Sequence, residues 1–475
     1  MPMKILLIYP PFPLGKAMSS VMCSPPLNLL YLASVSDEHN FKVLDLNVDG
    51  SYGIEKIARE IEDYDLIGIT CMSFTFRIVL NICRIAKKKG KTVLLGGFHP
   101  TLAPNIIDKF KCIDMIIRGE GELTFKELLE GKPKSEILGL SYRENGKVYH
   151  NPNRPFIKNL DELPFPRNDL IDSSPYNYLW IPAWVCEASR GCPFNCQFCC
   201  VTQFYKRSYR TKSPERVIEE LLRVPESAQL VFFVDDNFTL NKKRVMRICE
   251  LIQKTNLNKH LVFVCQSRVD DIARNPDMVA EMHKSGFICF FLGFESFKQT
   301  ALNHMEKDYT LDKVKKCVDI CHDNGIMIFG SFIIGNIGEN KEDTRKTFKL
   351  MKDLNLDFMM TMPLTPFPGT KLYEEAIENG WVDKNLKWES IKSGESKPLM
   401  CTPDLTRDEI LELLSESYKS FYADKGYVVK KYLTSYWSSK FNWTHKFLLK
   451  FMKNGITKFI MNLNHIVDEN YQSAY

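Results

Sequence analysis

The 475-residue sequence has no apolar run of 18 residues, so it offers no transmembrane helix. The apolar stretch 3–9 is stopped by Pro10 and Pro11 and is too short for the core of an export signal. No disulfide framework is visible. The 15 cysteines are odd in number and scattered, which points to a reducing compartment, and a cytoplasmic location is expected. Charge of one sign is not in excess. With 63 Lys and Arg against 58 Asp and Glu the net charge is +5, a balance that gives no nucleic-acid footprint. The hydrophobic share of 44% is ordinary for a globular protein, and the length suits two to three domains.

What is present is concentrated in one loop. Residues 190–199 read Arg-Gly-Cys-Pro-Phe-Asn-Cys-Gln-Phe-Cys, placing Cys192, Cys196 and Cys199 at the spacing C-x3-C-x2-C. Three thiolates on one loop suit three irons of a [4Fe–4S] cluster, which normally takes four cysteines, and so leave one iron open. A structural zinc site wants four closed ligands, commonly as two separated pairs. Cys200 is the only near candidate for a fourth thiol, and as the neighbour of Cys199 it is poorly placed to share one metal. Plain buried cysteines would not gather four deep in nine residues.

This loop resembles that of the radical S-adenosylmethionine (SAM) superfamily. The resemblance implies that SAM chelates the open iron and is cleaved reductively to methionine and a 5′-deoxyadenosyl radical. The cofactors then carry the hard chemistry while the protein binds, orients and shields them. An oxygen-sensitive cluster would suit an anaerobic cell.

Ahead of the loop, strand and helix patterns alternate. Strands are expected over 4–9, 41–46, 66–72, 92–95 and 115–117. Helices are expected over 27–36, 54–61 and 78–88, the last stopped by Gly90. Such alternation argues for a parallel, doubly wound, Rossmann-like (flavodoxin-like) sheet, whose ligands sit at the carboxyl ends of the strands. Ser73 and Thr75, then Gly96-Gly97-Phe98-His99-Pro100-Thr101, then Arg118-Gly119-Glu120-Gly121-Glu122 all fall there.

That layout resembles the cobalamin-binding domain found ahead of many radical SAM domains. The resemblance implies that Ser73, Thr75, Gly96, Gly97, His99, Gly119 and Glu120 contact cobalamin. Taken singly, the glycines read as ordinary turn residues. Some cobalamin proteins supply a lower histidine ligand in Asp-x-His-x-x-Gly after the first strand. Here Pro10-Pro11-Phe12-Pro13 follows instead. His39 reads as a solvated residue at a helix end, and His99, in a tight His-Pro loop, as structural. No protein histidine on cobalt is expected.

Residues 136–180 read as a linker with a hairpin at Asn145-Gly146 and prolines beyond it. Alternation resumes over 181–385 with five further strand patterns, at 230–234, 261–264, 287–293, 327–334 and 358–362. With the strand before Cys192 these make six, the partial (β/α)6 barrel that the superfamily implies. Barrel sites collect polar groups at strand carboxyl ends. Asp235-Asp236-Asn237 stands there, either to meet the SAM ammonium or to cap a helix. Arg268 suits a carboxylate, and Glu295 suits ribose hydroxyls or the ammonium. Gly335, Gly338 and Pro368 resemble the family's adenine-side and barrel-end loops, although single glycines are more often turns.

Residues 386–475 read as a mainly helical cap, with a helix over 405–418 started by Thr406. From 425 to 467 there are eight Lys, no Asp or Glu, and interleaved aromatics. A cap on the barrel is the favoured reading; peripheral membrane contact, or contact with a lipid-like substrate, is the other.

The whole resembles the cobalamin-binding radical SAM group that includes the anaerobic magnesium-protoporphyrin IX monomethyl ester cyclase and several methyltransferases. The resemblance implies methyl transfer through methylcobalamin to an unactivated carbon of a small-molecule or lipid-like substrate. A flavodoxin or ferredoxin would donate electrons. The alternatives are an oxidative or cyclising reaction without methyl transfer and, third, a non-catalytic cobalamin-dependent regulator. Cobalamin is expected on residues 1–135.

Overall fold

Buried apolar runs become parallel strands in both halves of the chain, because a strand covered on both faces has no need of polar alternation. The computed structural model describes residues 2–11, 22–48, 54–178, 180–391, 397–424 and 426–427. These fall into two units. The first holds the described residues of 1–176, 203–206 and 385–395, and the second those of 177–202, 207–384 and 396–475.

In the first unit the sheet order is Asn40–Asp45, Lys4–Tyr9, Leu66–Thr70, Thr92–Gly96, Met115–Ile117, Leu140–Glu144, Lys147–His150. The first five strands are parallel, in the doubly wound order 2-1-3-4-5. Ile5 to Ile8 and Leu66 to Thr70 are buried. The Asn145-Gly146 turn forms with both residues at positive φ, and its hairpin continues this sheet antiparallel, with Ile116 opposite Ser141. The hairpin is thus a sheet element of the first unit, since Leu140, Ser141 and Tyr142 are buried along the edge of Met115–Ile117.

The helix expected over 27–36 closes earlier, at Ala33, where Ser34 Oγ donates back to Tyr31 O at 2.7 Å. His39 therefore does not end a helix. It precedes a strand, and its Nδ1 accepts the Met3 N–H at 3.1 Å.

In the second unit six parallel strands run in chain order. They are Ile181–Cys186, Leu230–Phe233, Val262–Ser267, Phe287–Glu295, Met327–Ile334 and Phe358–Pro363. Helices between them complete an open, partial (β/α)6 barrel. Phe291 stacks on Phe329 at 4.3 Å and meets Phe232 at 5.2 Å, joining three of these strands through their side chains.

The open edge strand Phe358–Pro363 is covered by the helix Arg407–Tyr422, which Thr406 and Glu409 start with a reciprocal capping box. Tyr418 and Tyr422, one turn apart, turn their phenols onto the edge backbone. Tyr422 Oη accepts the Met359 N–H at 2.9 Å and donates to Met359 O at 2.7 Å. Tyr418 Oη makes the same pair of bonds with Thr361, each at 3.3 Å. Phenols thus satisfy ladder groups that a seventh strand would otherwise take. The basic aromatic stretch 425–467 lies outside the described residues except for Gly426 and Tyr427, and Tyr427 Oη donates to Leu356 O. Among the described residues no helix is long and apolar enough to cross a membrane.

Candidate active site

The cysteine loop is closed at its base. Ser189–Arg190 pairs antiparallel with Arg210–Thr211, so the chain leaves and returns at one point with all four cysteines between. The Cys199 N–H donates to Cys196 O at 3.1 Å, making a tight turn before the helix Cys200–Tyr205. Cys196 is buried, and Cys192 and Cys199 are partly exposed. Burial pushes the Cys192 thiol up to about 11 and the Cys199 thiol further up. Burial thus favours the protonated thiols of Cys192 and Cys199, and metal binding would release those protons. Among the described residues no group of His, Cys, Asp and Glu side chains closes up as a single ion would require. Three thiols on one stapled loop fit a [4Fe–4S] cluster with one open iron. They do not fit a closed structural zinc site.

A charged group gathers at the neighbouring strand ends. Arg268, directly after Val262–Ser267, lies over the Phe194 ring at 3.4 Å, and its Nε donates to Asp270 Oδ1 at 3.0 Å. Its Nη1 stands 4.0 Å from Cys196 Sγ, and its Nη2 is buried without a partner. A buried orphan donor beside the cysteine loop calls for an acceptor, and a carboxylate matches its fork.

Glu295 ends Phe287–Glu295 at φ +59°, a left-handed conformation rare for a non-glycine residue and typical of strain held at functional sites. Its Oε1 meets Lys307 Nζ at 2.8 Å, both side chains being nearly buried. Burial works against the Lys307 ammonium, but Glu295, with Cys196, more than offsets this and raises its pKa. Gly293 makes the room: a Cβ there would fall on Glu295 Oε1 and 3.2 Å from Lys307 Nζ. Lys307 escaped the sequence reading. It follows a short helix in a run of mixed charge, and only the fold brings it to Glu295.

Asp235 is 1% exposed, and its oxygens accept from Ala188 N at 2.9 Å and from Ser189 Oγ. Asp236 is half-buried and accepts the Gly191 N–H at 3.2 Å; burial, then Asp235, pushes it up to about 7. Gly335 answers a packing need, since a Cβ would lie 2.8 Å from Ile410 Cδ1. Open space surrounds the Cβ position of Gly338. Asn336 Nδ2 donates to Glu339 Oε2 at 2.9 Å and to Glu295 O at 3.4 Å, tying this loop to the strained strand end. Pro368 is buried two residues before Thr370, the cap of Lys371–Glu378.

In the first unit the expected cobalamin residues do gather at strand carboxyl ends. Gly97 adopts φ +101°, and a Cβ there would strike Cys71 O at 2.8 Å, so the fold itself requires this glycine. Gly96 and Gly119 instead have nothing within 4 Å of a Cβ position. That open space at two adjacent strand ends fits a bulky planar ligand. Ser73 Oγ lies 3.0 Å from His99 Nδ1, and Thr75 caps its own turn through Met72 N and O at 3.0 Å. His99 is buried against Phe76, with ring centres 4.5 Å apart and Trp388 at 5.9 Å, and burial lowers its pKa to about 4. Glu120 is buried and accepts the Ile157 N–H at 2.8 Å.

The chain matches the radical SAM superfamily over residues 186–351 and the B12 binding domain over residues 17–129. An uncharacterized methyltransferase of Pyrococcus horikoshii is 37% identical over 440 residues, covering 90% of this chain and 94% of that relative. The anaerobic magnesium-protoporphyrin IX monomethyl ester cyclase of Rubrivivax gelatinosus is 28% identical over 379 residues, covering 77% and 67%. The solved structure of the radical SAM methyltransferase TsrM from Kitasatospora setae shares the fold at a TM-score of 0.64 and 17% identity, over 80% of this chain and 75% of that one.

Proposed function

This chain belongs to the B12-binding radical SAM enzymes, and from that premise we propose that it transfers a methyl group from SAM to an unactivated carbon of a small molecule. Its cofactors are a [4Fe–4S] cluster, SAM and cobalamin. When bound, the cluster and SAM supply a reductively generated carbon radical, and cobalamin supplies a methyl carrier.

The observation that carries the reading is the convergence of Arg268, Lys307 and Glu295 on the three-cysteine loop. Cys192, Cys196 and Cys199 would hold the cluster. Arg268 and Lys307 are the cations for the SAM carboxylate, and Glu295, with Asp236, is the acceptor for its ammonium or ribose hydroxyls. Gly338 leaves space beside the loop that Asn336 and Glu339 brace. Phe194 under Arg268 excludes water from that guanidinium. Ser73, Gly96 and Gly119 face cobalamin, which takes residues 1–135, while 181–385 takes SAM and the cluster. His99, neutral and packed among aromatics, stays behind the cobalamin loops. A low-potential donor such as a flavodoxin or ferredoxin supplies the electron.

Methyl transfer is preferred over cyclisation because the 37% identical relative is named a methyltransferase, whereas the named cyclase is 28% identical. The test is anaerobic turnover with methyl-labelled SAM, a reductant and a small-molecule metabolite extract. Label in a third molecule supports the proposal. Formation of 5′-deoxyadenosine with all label still on SAM or methionine selects the oxidative or cyclising reaction.

A further inference from the structure

The sequence offered Asp235 as a SAM ligand or a helix cap, and the structure gives it other work. Ala188, fully buried, lies four residues before Cys192, and both of its backbone polar groups are gripped. Its N–H donates to Asp235 Oδ2 at 2.9 Å. Its C=O accepts from Arg244 Nη2 at 2.6 Å and from the Lys212 N–H at 3.0 Å. The second Asp235 oxygen accepts the Ser189 hydroxyl. Arg244 Nε then donates at 3.1 Å to Lys212 O, so one guanidinium bonds both chain segments at the foot of the cysteine loop. The Ser189–Arg190 and Arg210–Thr211 pairing lies directly above. Asp235 sits just past the end of Leu230–Phe233, and Arg244 lies in the first turn of Lys242–Lys254. A strand end and a helix start therefore hold the cysteine loop by its stem.

We propose that Asp235 and Arg244 are positioning residues that clamp the stem of the cysteine loop and so set the place of the iron–sulfur cluster, rather than ligands of SAM. Asp235 is 1% exposed, and each of its oxygens already holds a donor from the stem. An ammonium ligand would have to displace one of them. A buried N–H or C=O left unpaired is costly, so the clamp fixes the stem in one position. Partners that bond metal ligands directly typically change metal-site affinity by about 10-fold to 100-fold when lost, and the clamp acts on the same ligands through the stem that carries them. The inference rests on the reading that Cys192, Cys196 and Cys199 hold the cluster.

The test uses the full chain, reconstituted anaerobically with iron and sulfide, as wild type, Asp235→Ala and Asp235→Asn. Three quantities are read: iron release to a ferrous chelator, the electron paramagnetic resonance spectrum of the reduced cluster without SAM, and SAM affinity by calorimetry. Asp235→Ala is expected to release iron about tenfold faster or more and to change the SAM-free spectrum. Asp235→Asn keeps a carbonyl for the Ala188 N–H, and Ser189 can turn its hydroxyl to accept from the new amide. It is therefore expected to restore both signals and to leave SAM affinity unchanged. A carboxylate that binds the SAM ammonium predicts the reverse: wild-type cluster signals with SAM affinity lost in Asp235→Asn. That pattern overturns the proposal, as does wild-type iron release in Asp235→Ala. If Asp235→Ala does not accumulate, Arg244→Gln carries the test, and wild-type iron release there also overturns it. A wild-type chain that binds no iron refutes the cluster reading itself, before any variant is compared, and the proposal falls with it.

Discussion

Gly293→Ala separates binding from folding at one atom. The added Cβ would fall on Glu295 Oε1 and 3.2 Å from Lys307 Nζ, both of them ends of flexible side chains rather than backbone. The strand should therefore persist. Loss of glycine freedom in the unfolded chain works in favour of the variant by about 0.4–1 kcal/mol. The Glu295–Lys307 pair should be pushed apart. At 2.8 Å its gross attraction is about 6 kcal/mol at an effective dielectric constant of about 20, most of it offset by the cost of taking both ions from water. A displaced pair leaves the carboxylate and ammonium misaligned for SAM, and a net loss of about 1.4–2.7 kcal/mol corresponds to about 10-fold to 100-fold in Kd. Calorimetry of SAM binding to the anaerobic holoenzyme should show that loss, while Tm stays within a few degrees of wild type. Lys307→Met should reproduce the affinity loss. A Gly293→Ala protein that melts normally and binds SAM within about twofold of wild type would refute the reasoning.

Three further outcomes are expected. His99 is held neutral by burial, with a folded-state pKa of about 4 against about 6.5 when unfolded. Its contribution is therefore full above pH 6.5 and is lost as pH falls towards 4, amounting to about 3 kcal/mol. Denaturant unfolding at pH 7 and pH 4.5 should show a smaller pH-dependent loss for His99→Phe than for wild type, and equal losses would contradict this. Tyr422→Phe leaves the N–H and C=O of buried Met359 without their phenol, at a cost of about 1–3 kcal/mol. Tm should drop by several degrees, and adding Tyr418→Phe should lower it further and promote aggregation; unchanged melting would sink the edge-cap account. The cobalt(II) form should show no superhyperfine coupling that depends on a protein histidine, and coupling that vanishes in His99→Ala or His39→Ala would refute that assignment.

Much of the architecture was legible because it rests on local pattern. Ile5 to Ile8 and Leu230 to Phe233 are short, continuous apolar runs of the kind that suits a strand covered on both faces. Asn145-Gly146 carried its own hairpin geometry. The sheet that the hairpin joins was not legible, because edge pairing is a long-range choice. Helix ends were the weaker local signal: the chain after Ala33 looked helical, yet Ser34 closes it, and this moved His39 from a helix end to a strand start. The cysteine spacing announced its chemistry in one dimension. Lys307 and Asp235 could not, since their roles depend on the company of Glu295 and of Ala188, residues 12 and 47 positions away. The helix expected over 405–418 runs on to Tyr422, and nothing in the sequence says that the Tyr418 and Tyr422 phenols stand in for a strand.

The central claim is that three cysteines, and only those three, hold a cluster with an open iron. It is tested most directly by iron content, visible absorbance and 5′-deoxyadenosine formation in the anaerobically reconstituted chain and its cysteine variants. Wild type should hold about four irons per chain. Replacing Cys192, Cys196 and Cys199 together with Ala should abolish the absorbance and all SAM cleavage, whereas Cys200→Ala should retain both. A Cys200→Ala protein as damaged as the triple variant, alongside a tolerant Cys199→Ala, would contradict the ligand assignment.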